Sequence, residues 1–123
     1  MKIIINTAIM VPIYEQIIEQ IKKLILNGEL KENDILPSVR SLSKELNISA
    51  LTVKKAYDIL DSEGFTVTVH GKGTYVATVN TQLILEEQKK EIESDIENII
   101  SKARRCGIGD EDIKSLFELV LEG

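Results

Sequence analysis

The chain has 123 residues, of which 43% are hydrophobic and 28% are charged. That length fits one folded domain with at most a small appendage, and the composition is typical of folded rather than disordered proteins. No stretch approaches the roughly 20 apolar residues that span a bilayer, and the start lacks the layout of a secretion signal. We therefore predict a cytoplasmic protein without membrane contact.

Catalytic and metal-binding patterns are missing from the sequence. The single cysteine, Cys106, cannot form an internal disulfide and belongs to no cluster of metal ligands. The single histidine, His70, has no serine or cysteine in an arrangement typical of nucleophilic catalysis. We predict that the protein is not an enzyme and has no catalytic residue, no metal and no cofactor.

Charge is distributed unevenly along the chain. Residues 1–79 contain nine Lys or Arg and nine Asp or Glu, whereas residues 80–123 contain six and eleven. The net charge of −5 therefore lies entirely in the last third. Such asymmetry indicates two functional segments, and it leaves the first segment free to bind a polyanion.

A first helix is predicted after Pro12, ending at Asn27 and Gly28, because the apolar residues between them are spaced three and four apart. A second, short helix follows, with Ser38 as its N-cap and Asn47 as its end. Ser49 can cap a third helix that continues to Gly64.

The hydrophobic period then changes from helical to alternating. Phe65, Val67 and Val69 alternate with threonines, and residues 74–77 follow a turn at residues 71–73 that contains two glycines. This pattern predicts a β-hairpin, which is called a wing when it follows such helices.

Two further helices are predicted in the acidic segment. The first spans residues 82–105 and carries Leu85, Ile92 and Ile99 seven residues apart, with Ile96 and Ala103 at the alternate positions of a heptad and Lys89 interrupting the seam. The second begins near Asp110, after two glycines that interrupt the helical pattern.

The predicted fold is α+β and mostly α, with an N-terminal winged helix-turn-helix in residues 1–79. Residues 80–123 form a short C-terminal dimerisation segment of two helices. In a helix-turn-helix the second helix enters the major groove of DNA, here the third helix of the chain. Residues 38–55 contain four basic residues and one acidic residue, a local charge of +3 that suits contact with phosphates.

The order of motifs resembles the GntR family of repressors over about residues 11–77. The matching stretches are Leu36-Pro37-Ser38-Val39-Arg40, Ile48-Ser49, Thr52-Val53, Ala56-Tyr57, Glu63-Gly64 and residues 70–76, His-Gly-Lys-Gly-Thr-Tyr-Val. Pro12-Ile13-Tyr14, Gln16-Ile17 and the short helical tail are similar to the YtrA-type subfamily, whose members lack a large effector domain.

The resemblance implies that the protein contacts double-stranded operator DNA through its second and third helices and its wing. These residue types suit such contacts. The planar guanidinium of Arg40 can bind phosphate or guanine with two hydrogen bonds, and the wing glycines allow the backbone to approach a DNA groove closely. The candidate DNA-binding residues are Ser38, Arg40, Ser49, Leu51, Thr52, Lys54, Lys55, His70, Gly71, Lys72 and Gly73.

Two departures from the family pattern and one wing residue leave the interpretation open. Ala50 and Leu51 stand where many relatives carry polar or basic residues, and Glu32-Asn33 replaces a common Pro-Gly, so base preference does not transfer. Leu51 either touches a thymine methyl group or shields the turn. His70 either reaches a phosphate or is a structural or solvated residue of the wing.

The heptad seam predicts a homodimer, in which two reading heads match the half-sites of a palindrome. The candidate dimerisation residues are Leu85, Ile92, Ile96, Ile99 and Ala103. The alternative is that this stripe completes the core of one monomer. A tail of about 40 residues leaves little room for a pocket of 300 Å³ or more, so an effector, if the protein has one, is expected to be small and to bind at the dimer interface.

A second function is also compatible with the sequence. A net charge of −5 suits a winged-helix module that binds proteins rather than DNA.

The adjacent Arg104 and Arg105 form either an anion site or a basic helix end that interacts favourably with the helix dipole.

Overall fold

The computed structural model describes all 123 residues and contains five helices and one two-stranded sheet. In chain order the elements are α1 (Ile13–Leu26), α2 (Val39–Leu46), α3 (Ala50–Ser62), β1 (Thr66–Val69), β2 (Gly73–Val76), α4 (Thr81–Arg105) and α5 (Asp110–Glu122). The chain divides into two compact units, Met1–Thr81 and Gln82–Gly123. The predicted class, α+β and mostly α, is confirmed.

The core of the first unit lies where α1 and α2 pack against α3. Its centre consists of side chains with almost no exposed surface, namely Ile17, Ile21, Leu42, Val53 and Leu60. Because these residues recur at helical spacing, each helix presents one apolar stripe to the core and leaves its polar face outside. The three predicted helices are confirmed, with Pro12 as the N-cap of α1.

The strands β1 and β2 pair antiparallel, with Thr66 opposite Val76 and Val69 opposite Gly73. Residues 33–36 run along the other edge of β2, where Leu36 N–H donates to Thr74 O at 2.8 Å and Val76 N–H donates to Asp34 O at 2.8 Å. The loop before α2 therefore covers the edge of β2 that β1 leaves open.

The one buried residue of β1 is a threonine rather than a valine. Thr66 is 2% exposed, whereas Val67 and Val69 are 51% and 40% exposed. Burial of a hydroxyl is tolerated because Thr66 donates a hydrogen bond to the Asp61 carboxylate on α3. This bond also attaches the wing to α3.

An N-terminal arm lies along α1 and is held by two glutamine side chains. Gln20 accepts from Ile4 N–H at 2.9 Å and donates to Ile4 O at 2.7 Å. Gln16, which is buried, forms the same pair of bonds with Asn6 at 2.9 and 3.0 Å. Each amide thus pairs with the arm as a neighbouring strand would, and Ile3 is buried as a result.

The second unit consists of α4, a tight turn and α5. Gly107, with a φ of 80°, ends α4 in a Schellman motif, since Ile108 N–H donates to Ala103 O at 3.0 Å and Gly107 N–H to Arg104 O. No residue of α4 is buried, and Ile113 is the one buried residue of α5. None of the helices is long and apolar enough to cross a membrane.

Candidate nucleic-acid interface

The eleven candidate DNA-binding residues lie on α2, α3 and the wing of the first unit, and none of them is buried. Nine are exposed, while Thr52 and Gly73 are partly covered. Leu51 is 79% exposed, so it does not shield the turn between α2 and α3.

The turn between α2 and α3 is fixed at both of its ends. Asn47 ends α2 in the left-handed conformation, with a φ of 55°, so the backbone reverses within three residues. Ser49 then caps α3, since its Oγ accepts from Thr52 N–H at 3.1 Å and lies 2.8 Å from Thr52 Oγ1. The predicted N-caps Ser38 and Ser49 are both confirmed. These caps set the direction in which the first turn of α3 points.

Tyr57 connects α3 to the start of α2. Its side chain is 3% exposed, and its hydroxyl donates to Pro37 O at 2.8 Å. Burial raises the pKa of Tyr57, and the nearby Glu45 carboxylate raises it further. The hydroxyl therefore keeps its proton and remains a donor, which fixes the spacing between the two helices of the motif.

The two lysines of α3 have different partners in the structure. Lys54 Nζ lies 2.8 Å from Asp58 Oδ2, one turn further along the same helix. Lys55 Nζ lies 3.9 Å from the centre of the Tyr14 ring on α1. A carboxylate neutralises the charge that it binds, whereas an aromatic ring leaves the charge intact. Lys55 thus keeps its full charge on this surface.

Sequence reasoning missed Asp58 and Tyr14. The predicted local charge of +3 covers residues 38–55 only. Asp58 lies three residues further along the chain, and including it lowers the local charge to +2. The separation of four residues between Lys54 and Asp58 was the available signal for their pairing. Tyr14 gave no comparable signal, because its contact with Lys55 joins two different helices.

The wing tip depends on backbone conformations that favour glycine. Gly71 has a φ of 77°, and Lys72 N–H donates to Val69 O at 2.9 Å across the turn. At Gly73, a Cβ atom would lie 3.2 Å from Ile35 Cδ1, and the φ of 135° is itself rarely adopted by other residues. His70 and Lys72 are exposed on either side of Gly71.

In the second unit, an apolar surface is exposed on both helices. Of the candidate dimerisation residues, Leu85, Ile92, Ile96 and Ile99 are between 37% and 57% exposed, and Ala103 is partly covered. The structure adds residues of α5 that the heptad pattern does not include, namely Leu116, Leu119, Val120 and Leu121, which are between 49% and 84% exposed.

Three helices, of which the third is capped and exposed along one face, are followed by a hairpin that hydrogen-bonds to the third helix. This arrangement defines a winged helix-turn-helix protein. The family model described as "Bacterial regulatory proteins, gntR family" matches residues 13–76. The chain belongs to the GntR family, and the predicted resemblance is confirmed.

Individual relatives extend this likeness beyond the family region. The HTH-type transcriptional repressor YtrA of Bacillus subtilis is 37% identical over 90% of this chain and 83% of its own length. A crystal structure of a transcriptional antiterminator from Listeria monocytogenes matches 98% of this chain and 90% of its own, with a TM-score of 0.71 and 30% identity. The DNA-binding domain of AraR in complex with operator ORX1 matches 62% of this chain and 95% of its own, with a TM-score of 0.56 and 29% identity.

Family membership settles the class of activity. The protein is a transcriptional regulator that binds DNA through its helix-turn-helix, and its family consists of DNA-binding regulators rather than enzymes. The prediction of a regulator that is not an enzyme is confirmed, and DNA is the partner that the family and its operator complexes support.

Proposed function

We propose that the protein is a homodimeric repressor that acts in the cytoplasm and binds a pseudo-palindromic operator. In this proposal residues 1–79 are the DNA-binding domain and residues 80–123 hold the two copies together. The observation that carries it is the contrast in burial: the first unit buries thirteen apolar side chains in its own core, whereas the second buries Ile113 alone and leaves nine large apolar side chains exposed. Repression is proposed because the B. subtilis relative that matches most of the chain is a named repressor.

The first turns of α3 are proposed to read bases in the major groove. Lys54 suits guanine, whose edge presents two acceptors, and the exposed Leu51 suits the methyl group of thymine. Ser49 and Thr52 are proposed to bind phosphate beside the positive end of the α3 dipole. Their hydroxyls already hydrogen-bond to each other, so they reach the DNA in a fixed geometry.

Other residues of the first unit are proposed to position the protein along the backbone. Ser38 and Arg40 stand at the start of α2, where Arg40 is exposed and has the bidentate geometry that phosphate requires. Gly71 and Gly73 let the wing approach a groove, and Lys72 adds positive charge at the tip. His70, also exposed at the tip, is proposed to reach a phosphate.

The dimer contact is proposed to form through α4 and α5 together. Between these helices lies a cavity of about 220 Å³ with wholly apolar walls, formed by Ile99, Ala103, Ile113, Leu116, Phe117 and Val120. A cavity below about 300 Å³ without an orienting polar group suits a side chain from the partner better than a drug-sized effector. We propose that a side chain of the second copy fills it.

Fluorescence anisotropy with DNA from upstream of the protein's own gene, titrated across salt concentrations, tests this function. We expect tight binding with a steep salt slope, because each neutralised phosphate contributes about −0.9 to the slope of log K against log salt. Arg40→Ala should weaken binding and make the slope less steep by about 0.9, the contribution of one phosphate contact. Lys90→Ala, which removes one charge from exposed α4, is the matched control and should change neither.

Two results would contradict the proposal. Failure to bind any sequence selected from a random library at low salt would favour the winged-helix module that binds proteins, for which the net charge of −5 is the supporting feature. A monomer in sedimentation at micromolar concentration would contradict the homodimer but leave DNA binding standing.

A further inference from the structure

The exposed face of α3 carries an acidic residue among the groups proposed to meet DNA. Leu51, Lys54, Lys55, Asp58 and Ser62 recur at spacings of three and four and line one shallow groove. A carboxylate beside a polyanion is repelled by phosphate, so Asp58 reduces affinity unless it performs another task.

The stabilisation of α3 by the Lys54–Asp58 pair is too weak to explain why a carboxylate stands at position 58. The Lys54 and Asp58 side chains are 61% and 62% exposed, and exposed ion pairs contribute little to folding. The order of the pair is also the less favourable one, because a cation that precedes its anion along a helix runs against the helix dipole. The pair therefore has little value for the free protein.

Fixing the position of Lys54 is a task that the geometry does support. A lysine ammonium ends a flexible four-carbon stem and carries three donors. Asp58 Oδ2 accepts one of these donors at 2.8 Å, which holds the ammonium over the exposed stripe and leaves two donors free. Two donors match the two acceptors, O6 and N7, that guanine presents in the major groove.

This inference rests on the base contacts proposed for α3: we propose that Asp58 is a positioning residue for base reading by Lys54. It restricts the ammonium to the orientation that suits guanine and repels phosphate elsewhere on the DNA. Asp58 thus raises affinity for the operator, lowers affinity for other sequences, and so sets the ratio between the two.

Asp58→Asn tests this inference because it should move the two affinities in opposite directions. We expect binding to a fragment selected from a random library to weaken about two- to fivefold, since the held geometry is lost. Binding to a scrambled fragment of the same length should tighten by a similar factor, since one repelling charge is removed. Anisotropy at one fixed salt concentration measures both affinities.

Three further variants separate positioning from other effects. Glu97→Gln removes the same charge from exposed α4 and should leave both affinities unchanged. In Asp58→Glu the carboxylate can still reach Lys54, so the ratio of the affinity for selected DNA to the affinity for scrambled DNA should stay close to that of the wild type. In a Lys54→Ala background, Asp58→Asn should no longer weaken selected DNA, because the residue that Asp58 positions is gone. Circular dichroism and the melting temperature confirm that each variant is folded.

The result that overturns the inference is distinct from the one that overturns the proposed function. If Asp58→Asn tightens binding to both fragments equally, or if it still weakens selected DNA without Lys54, Asp58 does not position Lys54. If the wild-type protein binds neither fragment, the DNA-reading function fails and this inference fails with it.

Discussion

The two units of this protein use apolar residues in opposite ways. The first unit buries thirteen apolar side chains, whereas the second buries Ile113 alone and exposes nine large ones within 42 residues. Both units consist of amphipathic elements, so the difference lies in geometry. Three helices and a hairpin can enclose a core, but two helices cannot surround the stripe that they share.

This contrast implies that stability has a different origin in each unit. A substitution in the first unit should change the free energy of folding at any protein concentration. A substitution in the second should matter only under conditions where a partner covers the apolar surface, because association couples stability to concentration.

Leu60→Ala should give the largest effect. Leu60 on α3 has no exposed surface, so its truncation leaves a cavity and should lower the free energy of unfolding by about 2–5 kcal/mol. Urea denaturation measures this loss, which should not depend on protein concentration. Leu119→Ala, at a position 66% exposed, is the counterpart and should cost less than about 0.5 kcal/mol in dilute protein. An equal cost at both sites would remove the distinction between the units.

Ile99→Asp should give the next largest effect. Ile99 is 54% exposed and lines the apolar cavity of the second unit, so a carboxylate there would be desolvated in a dimer but not in a monomer. We expect a monomer in analytical ultracentrifugation and a loss of about 100-fold in operator affinity, since two linked reading heads bind far more tightly than one. The thermal stability of the first unit should be unchanged. A dimer that survives this substitution would place the contact elsewhere.

Tyr57→Phe should have an intermediate effect, confined to the first unit. Removal of the hydroxyl leaves Pro37 O without its donor and should lower the free energy of unfolding by about 1 kcal/mol. Tyr14→Phe removes a hydroxyl that bonds the neighbouring Glu15 at the surface and should cost less than about 0.5 kcal/mol. Comparing the two melting curves tests whether the hydroxyl at position 57 fixes α2 against α3.

Exchanging valine and threonine in β1 should give an effect of the same size as Tyr57→Phe, confined to the wing. Thr66→Val removes the bond to Asp61 and should cost about 1 kcal/mol, whereas Val67→Thr on the exposed face should cost less than about 0.5 kcal/mol. A larger cost at Val67 than at Thr66 in denaturant titrations would mean that the valine face of the wing is covered in solution.

Much of the fold could be predicted because the determining interactions are local. The caps Ser38 and Ser49, the left-handed turn residue Asn47 and the glycines that end helices act within three or four residues of their own position. The change from helical to alternating period then predicted the hairpin. The order of motifs predicted the family, because each motif occupies a turn or cap that the fold needs.

The sequence alone determined the elements, their class and the family. Tertiary structure decided which threonine is buried, that Lys55 stacks on Tyr14, that Tyr57 reaches Pro37, and that α5 adds to the apolar surface of α4. Each of these depends on two segments that are far apart in the chain or on different elements. Periodicity reports which face of an element is apolar, whereas a partner across the fold exists only after the elements have packed.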